Sequence, residues 1–243
     1  MHVYSANYSP NFDISNKKKR NIKYLIFHYT GMKNEIKAIE RLTSLKSKVS
    51  CHYFVKNNGS ILKILPDKYI SWHAGKSCWK GTKNLNKFSI GIEIQNPGHN
   101  HGYKKYNKRQ VKSIMNLVRK LSMKHKIKYT NILGHSDISP DRKKDPGEKF
   151  PWKKILNKKI SLNYKLKYSK FKRTNNKTLN KNEKKFFLLK LKKIGYCIDL
   201  KSPQNIKNCV KAFQRRFRQD IIDGKADLEC FMILKTLINQ GFY

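Results

Sequence analysis

The eighteen-residue segment HSDISPDRKKDPGEKFPW, which begins at His135, concentrates side chains that could bind a metal ion. It holds one histidine and three aspartates in a chain with 55 lysines and arginines and only 15 acidic residues: His135, Asp137, Asp141 and Asp145. Imidazole nitrogen and carboxylate oxygen are ordinary ligands of divalent metals. The segment could form one wall of a metal site, or it could be a solvated loop whose aspartates cap turns.

Proline and glycine punctuate this segment at Pro140, Pro146, Gly147 and Pro151. Proline lacks a backbone N–H and breaks helices and central strands. We therefore expect a shaped loop here, followed by a helix that opens near Pro151.

A second histidine, His28, closes the apolar run IKYLIFHYT (22–30), which predicts a buried strand. The short run NILGH predicts another strand that ends at His135. Catalytic zinc takes three protein ligands and leaves one position for water, so His28, His135 and one aspartate would suffice. Composition does not choose among the three aspartates, and a histidine at a strand end can also be purely structural.

The remaining patterns of the first 157 residues alternate between strands and helices. Residues 34–46 and 109–125 have helical apolar spacing, and residues 51–65 predict a hairpin around Gly59. In FSIGIEIQN (88–96), isoleucines alternate with Gly91 and Glu93. This alternation predicts an α/β fold, with a central mixed β-sheet flanked by helices.

A change in composition separates the C-terminal part of the chain. Residues 158–181 are rich in lysine, asparagine and serine and predict a basic linker. Residues 182–243 contain three helical blocks and predict a small three-helix domain. Together with an N-terminal extension over residues 1–20 and an α/β domain over residues 21–157 that holds the candidate metal ligands, this gives four segments.

The net charge of +40 and the pI near 10.1 favour polyanionic partners. Lysine and asparagine are abundant throughout, which indicates a general compositional bias rather than one basic face. Nucleic-acid binding is an alternative function, but we expect no nucleic-acid partner.

The five cysteines are scattered, form no CxxC pair and do not predict a disulfide framework. Cys197, Cys209 and Cys230 lie among apolar residues and are expected to be small core residues. We see neither a signal peptide nor an apolar run of membrane-spanning length.

Four blocks together resemble the zinc-dependent N-acetylmuramoyl-L-alanine amidases of the amidase-2 family, of the AmpD and AmiD type. They are FHYTG, CHYFV, SWHAGKSCWKGTKNLNKFSIGIEIQNPG and GHSDISPDRKKDPGEKFPW, and they span about residues 21–152 in the family's order. The C-terminal segment beginning LKKIGY is similar to the three-helix peptidoglycan-binding module of the AmiD branch.

The resemblance implies a role for particular residues. One Zn²⁺ per chain would be bound by His28, His135 and Asp145, which leaves Asp137 and Asp141 as loop-shaping residues. Glu93 would be the general acid and base, and Lys143 would stabilise the oxyanion. The implied reaction is hydrolysis of the amide between the lactyl group of N-acetylmuramic acid and L-alanine of the stem peptide, in peptidoglycan or in muropeptides.

The resemblance also assigns supporting positions. Trp72 and His73 would line the substrate groove, with packing as the alternative for both, and His52 would give structural support. Four other histidines match no family position and are expected at the surface: His2, His99, His101 and His125.

Two further alternatives stay open. A peptidoglycan-binding or sensing protein without catalysis would keep this fold, and a phage-type lysin would share its chemistry. A wall-binding module without a signal sequence favours an extracytoplasmic location by another export route, periplasmic or secreted, with the cytoplasm as the alternative. Oligomeric state is not predicted.

Overall fold

The computed structural model describes residues 3–4, 8–16, 18, 20–155 and 177–242. In chain order, its strands are β1 (Val3–Tyr4), β2 (Phe12–Asp13), β3 (Tyr24–Tyr29), β4 (Tyr53–Val55), β5 (Ile61–Lys63), β6 (Ile70–Ser71), β7 (Cys78–Trp79), β8 (Thr82–Lys83), β9 (Ser89–Ile94) and β10 (Ile132–Gly134). Its α-helices are α1 (Glu35–Thr43), α2 (Lys108–His125), α3 (His135–Ile138), α4 (Trp152–Ile155), α5 (Lys181–Ile194), α6 (Pro203–Phe217) and α7 (Leu228–Asn239).

Six strands form the central sheet in the order β1-β5-β4-β9-β3-β10. The hairpin β4–β5 is antiparallel and the other pairings are parallel, so the sheet is mixed, as predicted. Strand β9 lies between β4 and β3 and is therefore an interior strand. The expected mixed sheet flanked by helices, followed by C-terminal helices, is confirmed.

Side-chain alternation along the two central strands decides what faces the site. Leu25 and Phe27 of β3 pack with Ile92 of β9 into the core beneath α2. Because successive strand residues point to opposite faces, His28 and Glu93 lie on the other face. The parallel register pairs His28 directly with Glu93.

The segment that begins at His135 differs from the predicted loop at its start. Residues His135–Ile138 form one helical turn, closed by a hydrogen bond from the Ser139 N–H to the His135 carbonyl at 3.0 Å. The expectation of an irregular segment from its first residue is wrong, because this turn is complete before the first proline, Pro140.

The three predicted C-terminal helices are present as α5, α6 and α7, and they pack directly on the sheet. One apolar cluster joins Tyr24 and Ile26 of β3 to Phe187 of α5 and Phe213 of α6. The C-terminal helices and the central sheet therefore share one hydrophobic core.

The turn after α5 fixes this packing at Gly195. A Cβ there would lie 2.4 Å from Cε2 of the Trp79 indole, so only glycine lets the turn approach so closely. Trp79 is fully buried against the ring of Tyr196, with the ring centroids 4.9 Å apart.

A disulfide joins Cys78 of β7 to Cys197, which corrects the expectation that the cysteines form no disulfide and that Cys197 is an unpaired core residue. The two cysteines are 119 residues apart in sequence, and only the docking of the turn at Gly195 brings their Cα atoms to 5.9 Å. Cys209 and Cys230 are free and buried, as expected, and so is Cys51.

Several predicted features lie partly or wholly outside the described residues. His2 is among them, as is most of the predicted linker over residues 158–181. Within the described part of the chain, none of the helices combines the length and the apolar character needed to cross a bilayer.

Candidate metal centre

One cavity of about 610 Å³ opens on the face of the sheet that carries His28 and Glu93. All seven residues that the sequence suggested for metal binding, catalysis or substrate contact line it: His28, Trp72, His73, Glu93, His135, Lys143 and Asp145. The cavity lies where β3 and β10 end, as expected for an α/β sheet.

Within the cavity, three buried side chains meet at one point. The ligand atoms of His28, His135 and Asp145 all lie within 4.8 Å of one another. The two Nδ1 atoms are 2.9 Å apart, and each lies 3.0–3.1 Å from Oδ2 of Asp145. Asp137 is oriented differently, with its carboxylate on the Gly134 N–H, and Asp141 accepts hydrogen bonds from Asn205 and Asn208.

Hydrogen bonds at the far side of each imidazole fix its tautomer. Nε2 of His135 lies 3.1 Å from the carbonyl oxygen of Ala74. A carbonyl can only accept, so Nε2 carries the proton and the Nδ1 lone pair of His135 faces the cluster.

A longer relay gives the same result for His28. The Ser89 hydroxyl donates to the Leu85 carbonyl at 2.6 Å, so Ser89 Oγ accepts from Nε2 of His73 at 3.0 Å. His73 Nδ1 is then an acceptor and takes the Nε2 proton of His28 at 2.9 Å. The Nδ1 lone pair of His28 therefore also faces the cluster.

This arrangement fits a metal cation. Two imidazole lone pairs and a carboxylate oxygen converge with no proton left to share among them, a geometry that a cation stabilises and that is repulsive without one. Two histidines and one carboxylate are a known zinc ligand set that leaves one coordination position open. The described residues therefore form a possible metal site at His28, His135 and Asp145.

The protonation states suit metal binding. Burial, with a contribution from His135, lowers the pKa of His28 to about 4, so its imidazole is neutral at pH 7. Burial alone would raise the pKa of Asp145, but positive charge at this point, carried by a protonated imidazole of His135 or His28 or by a bound cation, outweighs burial and holds that pKa well below its usual range. Asp145 is thus an ionised ligand.

Glu93 has the opposite electrostatic environment. Burial raises the pKa of its carboxyl to about 8, and the negative charge of Asp145 adds to the increase, while Lys143 opposes it. Its Oε2 atom is buried and finds no hydrogen-bond partner among the described residues. A carboxyl that gains and loses a proton near neutral pH suits a general acid and base.

His73 does more than line the cavity, because its ring holds His28. The ring lies against the backbone of β9, where a Cβ on Gly91 would come within 2.4 Å of its Cγ atom. His52 supports the same stretch of backbone, since its Nδ1 accepts the Gly91 N–H at 3.0 Å and the Ser71 hydroxyl at 2.8 Å.

Lys143 and Trp72 are half-buried at the cavity wall. The Lys143 backbone N–H bonds the Ser139 carbonyl at 3.0 Å, which continues the turn that starts at His135. The positive charge of Lys143 acts on both Glu93 and His28.

Two histidines that were expected at the surface are instead half-buried and hydrogen-bonded. His99 lines the cavity, with Nδ1 2.9 Å from the Tyr29 hydroxyl, and its ring stacks on Tyr103. His125 is largely buried against Asp67, with Nε2 2.8 Å from Oδ2. Neither sits in a recognisable motif, so only tertiary contacts reveal them. His101 is exposed, as expected.

Arg142 is a further cavity residue that the sequence did not single out. Its guanidinium donates to the carbonyl oxygens of Ala74 and Lys76. Because the Ala74 carbonyl also accepts from His135, Arg142 holds the group that fixes the tautomer of that histidine.

Comparison with known proteins agrees with this geometry. The family model described as N-acetylmuramoyl-L-alanine amidase (Amidase_2) matches residues 18–148. The N-acetylmuramoyl-L-alanine amidase AmiD of Escherichia coli K12 is 30% identical over 235 residues, which cover 90% of this chain and 83% of AmiD. The 1,6-anhydro-N-acetylmuramyl-L-alanine amidase AmpD of Escherichia coli K12 is 35% identical over 105 residues, or 43% of this chain and 55% of AmpD.

Solved structures show the same fold. The complex of Escherichia coli AmiD with the substrate anhydro-N-acetylmuramic acid-L-Ala-D-γ-Glu-L-Lys matches with a TM-score of 0.80 at 28% identity, covering 95% of this chain and 93% of AmiD. AmpDh3 from Pseudomonas aeruginosa matches in fold with a TM-score of 0.76 at 24% identity, covering 95% and 96%. This protein belongs to the N-acetylmuramoyl-L-alanine amidase family and is an amide hydrolase of that family.

Proposed function

We propose that this amidase hydrolyses the bond between the lactyl group of N-acetylmuramic acid and L-alanine with one zinc ion held by His28, His135 and Asp145. The observation that carries the proposal is the convergence of two Nδ1 lone pairs and one carboxylate beside a Glu93 oxygen that has no hydrogen-bond partner within the described chain. When bound, zinc supplies Lewis acidity that lowers the pKa of water and polarises a carbonyl.

The chain's own residues would transfer the proton, stabilise the oxyanion and orient the metal ligands. Glu93 accepts the proton of the attacking water and delivers it to the leaving amine of L-alanine. Lys143 contributes positive charge where the tetrahedral oxyanion develops. His73 and Ala74 act behind the ligands, since they hold the Nε2 protons of His28 and His135.

We propose muropeptides or peptidoglycan as substrate, with Trp72 at the cavity wall as a contact. The AmiD structure contains an anhydro-muropeptide, and AmiD resembles this chain over most of both lengths, which supports this substrate class. The division into residues 1–20, 21–157, 158–181 and 182–243 stays a proposal, as does a peptidoglycan-binding role for the last of these.

We also propose an extracytoplasmic site of action, periplasmic or secreted. The Cys78–Cys197 disulfide supports it, because structural disulfides persist in oxidising compartments and are rare in the cytosol. Trapping the thiols of intact cells before lysis, followed by a mass measurement of the Cys78–Cys197 peptide pair, tests this. A reduced pair in the native protein would contradict the proposal.

The activity test uses anhydro-muropeptides and whole murein as separate substrates, with free stem peptide measured by mass spectrometry. The purified protein is assayed as prepared, after chelation, and after zinc is added back. We expect stem-peptide release that chelation abolishes and added zinc restores.

Glu93→Gln should lose about 10²–10⁴-fold in the rate of stem-peptide release. The matched control is Glu40→Gln, an exposed glutamate outside the cavity. Bound zinc without release from either substrate would contradict the proposed function.

A further inference from the structure

The C-terminal helices reach the backbone that carries the metal ligand His135. Arg216 of α6 is buried, and its Nη1 lies 3.0 Å from Oδ2 of Asp137, with both side chains 1% exposed. Its Nη2 donates to the carbonyl of Ile132 in β10 at 2.8 Å. One guanidinium therefore forms hydrogen bonds to the chain on both sides of His135, at Ile132 and at Asp137.

Asp137 links Arg216 to the helical turn that begins at His135. Its Oδ2 accepts the backbone N–H of Gly134, the residue before His135, at 2.8 Å. Its Oδ1 accepts the hydroxyl of Tyr196 at 2.7 Å. Both carboxylate oxygens are thus satisfied, one by the turn itself and by Arg216, and the other by the residue next to the disulfide.

The same turn also connects His135 with the third ligand. The Ser136 N–H donates to the backbone carbonyl of Asp145 at 2.9 Å. A Cβ on Gly134 would lie 2.7 Å from Cδ of Pro146, so β10 and the Asp145 loop are in close contact. A shift of Asp137 would therefore displace His135 and Asp145 together.

We propose that Arg216 and Tyr196 are positioning residues of the metal centre, acting through Asp137 to fix the turn that presents the His135 Nδ1 atom. On this account α5–α7 complete the catalytic site, whether or not they bind glycan. The inference rests on the proposed metal role of His135 and not on the identity of the substrate.

The guanidinium of Arg216 is specific for this task. It donates through two different nitrogens of one rigid plane, and the single nitrogen of a lysine cannot occupy both positions. Its planar group also lies 4.8 Å from the ring centroid of Trp152 and 5.0 Å from that of Phe217, which restrains its orientation.

The test compares Arg216→Lys and Tyr196→Phe with the matched control Arg218→Lys in the full-length, disulfide-bonded protein. Arg218 is equally buried in the same helical unit, but its ion pairs are with Asp223, Asp227 and Glu229, all within that unit. Zinc affinity is measured by competition with a chromophoric chelator, and site geometry by the visible spectrum of the cobalt-substituted protein. Amidase activity of the wild type is recorded in parallel.

We expect Arg216→Lys to weaken zinc binding about 10–100-fold, the range for residues that orient metal ligands, and to change the cobalt spectrum. Tyr196→Phe should weaken zinc binding and change the cobalt spectrum in the same direction, with a smaller effect. Because this variant keeps the aromatic ring that packs against Trp79, it provides the test if Arg216→Lys does not fold. Arg218→Lys should leave both unchanged. Unchanged affinity in Tyr196→Phe and Arg216→Lys, or an equal loss in Arg218→Lys, would overturn the inference. Normal zinc binding without wild-type amidase activity would instead reject the proposed function.

Discussion

Two acidic sites, one at Asp67 and one around Glu93 and Asp145, contrast in how their oxygens are hydrogen-bonded. Asp67 accepts short hydrogen bonds from Tyr53, Lys124 and His125 at 2.6–2.8 Å. In the cavity of the candidate metal centre, Oε2 of Glu93 has no partner among the described residues, and the Nδ1 lone pairs of His28 and His135 face the carboxylate of Asp145. The first site is complete within the protein, whereas the second leaves these groups for the cation and the substrate that we propose.

The pKa directions express the same contrast. Burial alone would raise the pKa of Asp67, but its three donors outweigh burial and hold that pKa well below its usual range. Burial and the nearby Asp145 instead raise the pKa of Glu93 to about 8. Burial without donors is costly, so a protein retains such a group for function rather than stability.

The largest effect on activity should come from removing the anionic ligand. Asp145→Asn should release zinc and reduce turnover to background, because losing a ligand costs more than the 10–100-fold of an outer-shell change. Asp141→Asn, in the same loop but bonded to Asn205 and Asn208, should keep both zinc and activity. Metal analysis after gel filtration, together with stem-peptide release, checks this. Equal losses in the two variants would contradict the assignment of Asp145.

The next effect tests the relay behind His28. Ser89→Ala removes the acceptor that fixes the His73 tautomer, so we expect about tenfold weaker zinc binding, at the lower end of the outer-shell range. Ser122→Ala is the control, since the Ser122 hydroxyl is buried without a partner in the described chain and lies in α2, away from the cavity. A chelator competition that gives equal affinities for Ser89→Ala and wild type would refute the relay.

Glu93 should affect the stability of the metal-free protein in a pH-dependent way. Its folded pKa of about 8 lies above the ordinary value near 4.5, so the folded state binds the extra proton between these values. Stability must then fall as pH rises from about 4.5 through 8. Glu93→Gln should remove this component, so it should become more stable than wild type toward pH 8–9. Urea unfolding of chelated protein at several pH values measures this, with Glu40→Gln as control, and parallel curves for wild type and Glu93→Gln would rule it out.

The smallest effect on activity should come from Asp67. Asp67→Asn should leave zinc binding and turnover near wild type at 25 °C while lowering the free energy of unfolding by about 1.5–3 kcal/mol, as for hydrogen bonds to a charged group. Because the folded pKa of Asp67 is depressed, its contribution is present above about pH 4 and is lost as pH falls below that value. The difference in free energy of unfolding between wild type and Asp67→Asn should therefore be full at pH 7 and smaller at pH 3, which denaturant curves at the two pH values measure. The exposed Asp13→Asn is the control.

Much of the fold followed from local patterns. The isoleucine alternation in residues 88–96 placed Glu93 on one face of its strand, and the hairpin around Gly59 and the three C-terminal helices were also predictable. The blocks that resemble the amidase family predicted seven residues for metal binding, catalysis or substrate contact, and the structure brings all seven into one cavity. These signals are short-range or depend on motifs, so a single sequence contains them.

The interactions that the sequence did not indicate are long-range. Cys78 meets Cys197 only because the turn at Gly195 docks on Trp79, and neither cysteine belongs to a paired motif. Arg216 is one of 55 basic residues, and nothing in the local sequence distinguishes an arginine that bonds Asp137 and the Ile132 carbonyl from a solvated arginine. His73 resembled a groove residue, and its hydrogen bond to His28 depends on how β9 lies beneath it.

The most direct test of the account is a crystal structure of the zinc-loaded protein with anomalous data at the zinc edge. We predict one peak per chain, about 2.0–2.1 Å from Nδ1 of His28 and of His135 and about 2.0–2.2 Å from a carboxylate oxygen of Asp145, with Glu93 outside the ligand shell. Coordination through Nε2 of either histidine, or a metal held by Glu93 in place of Asp145, would contradict the tautomer relays and the separation of ligand from general base.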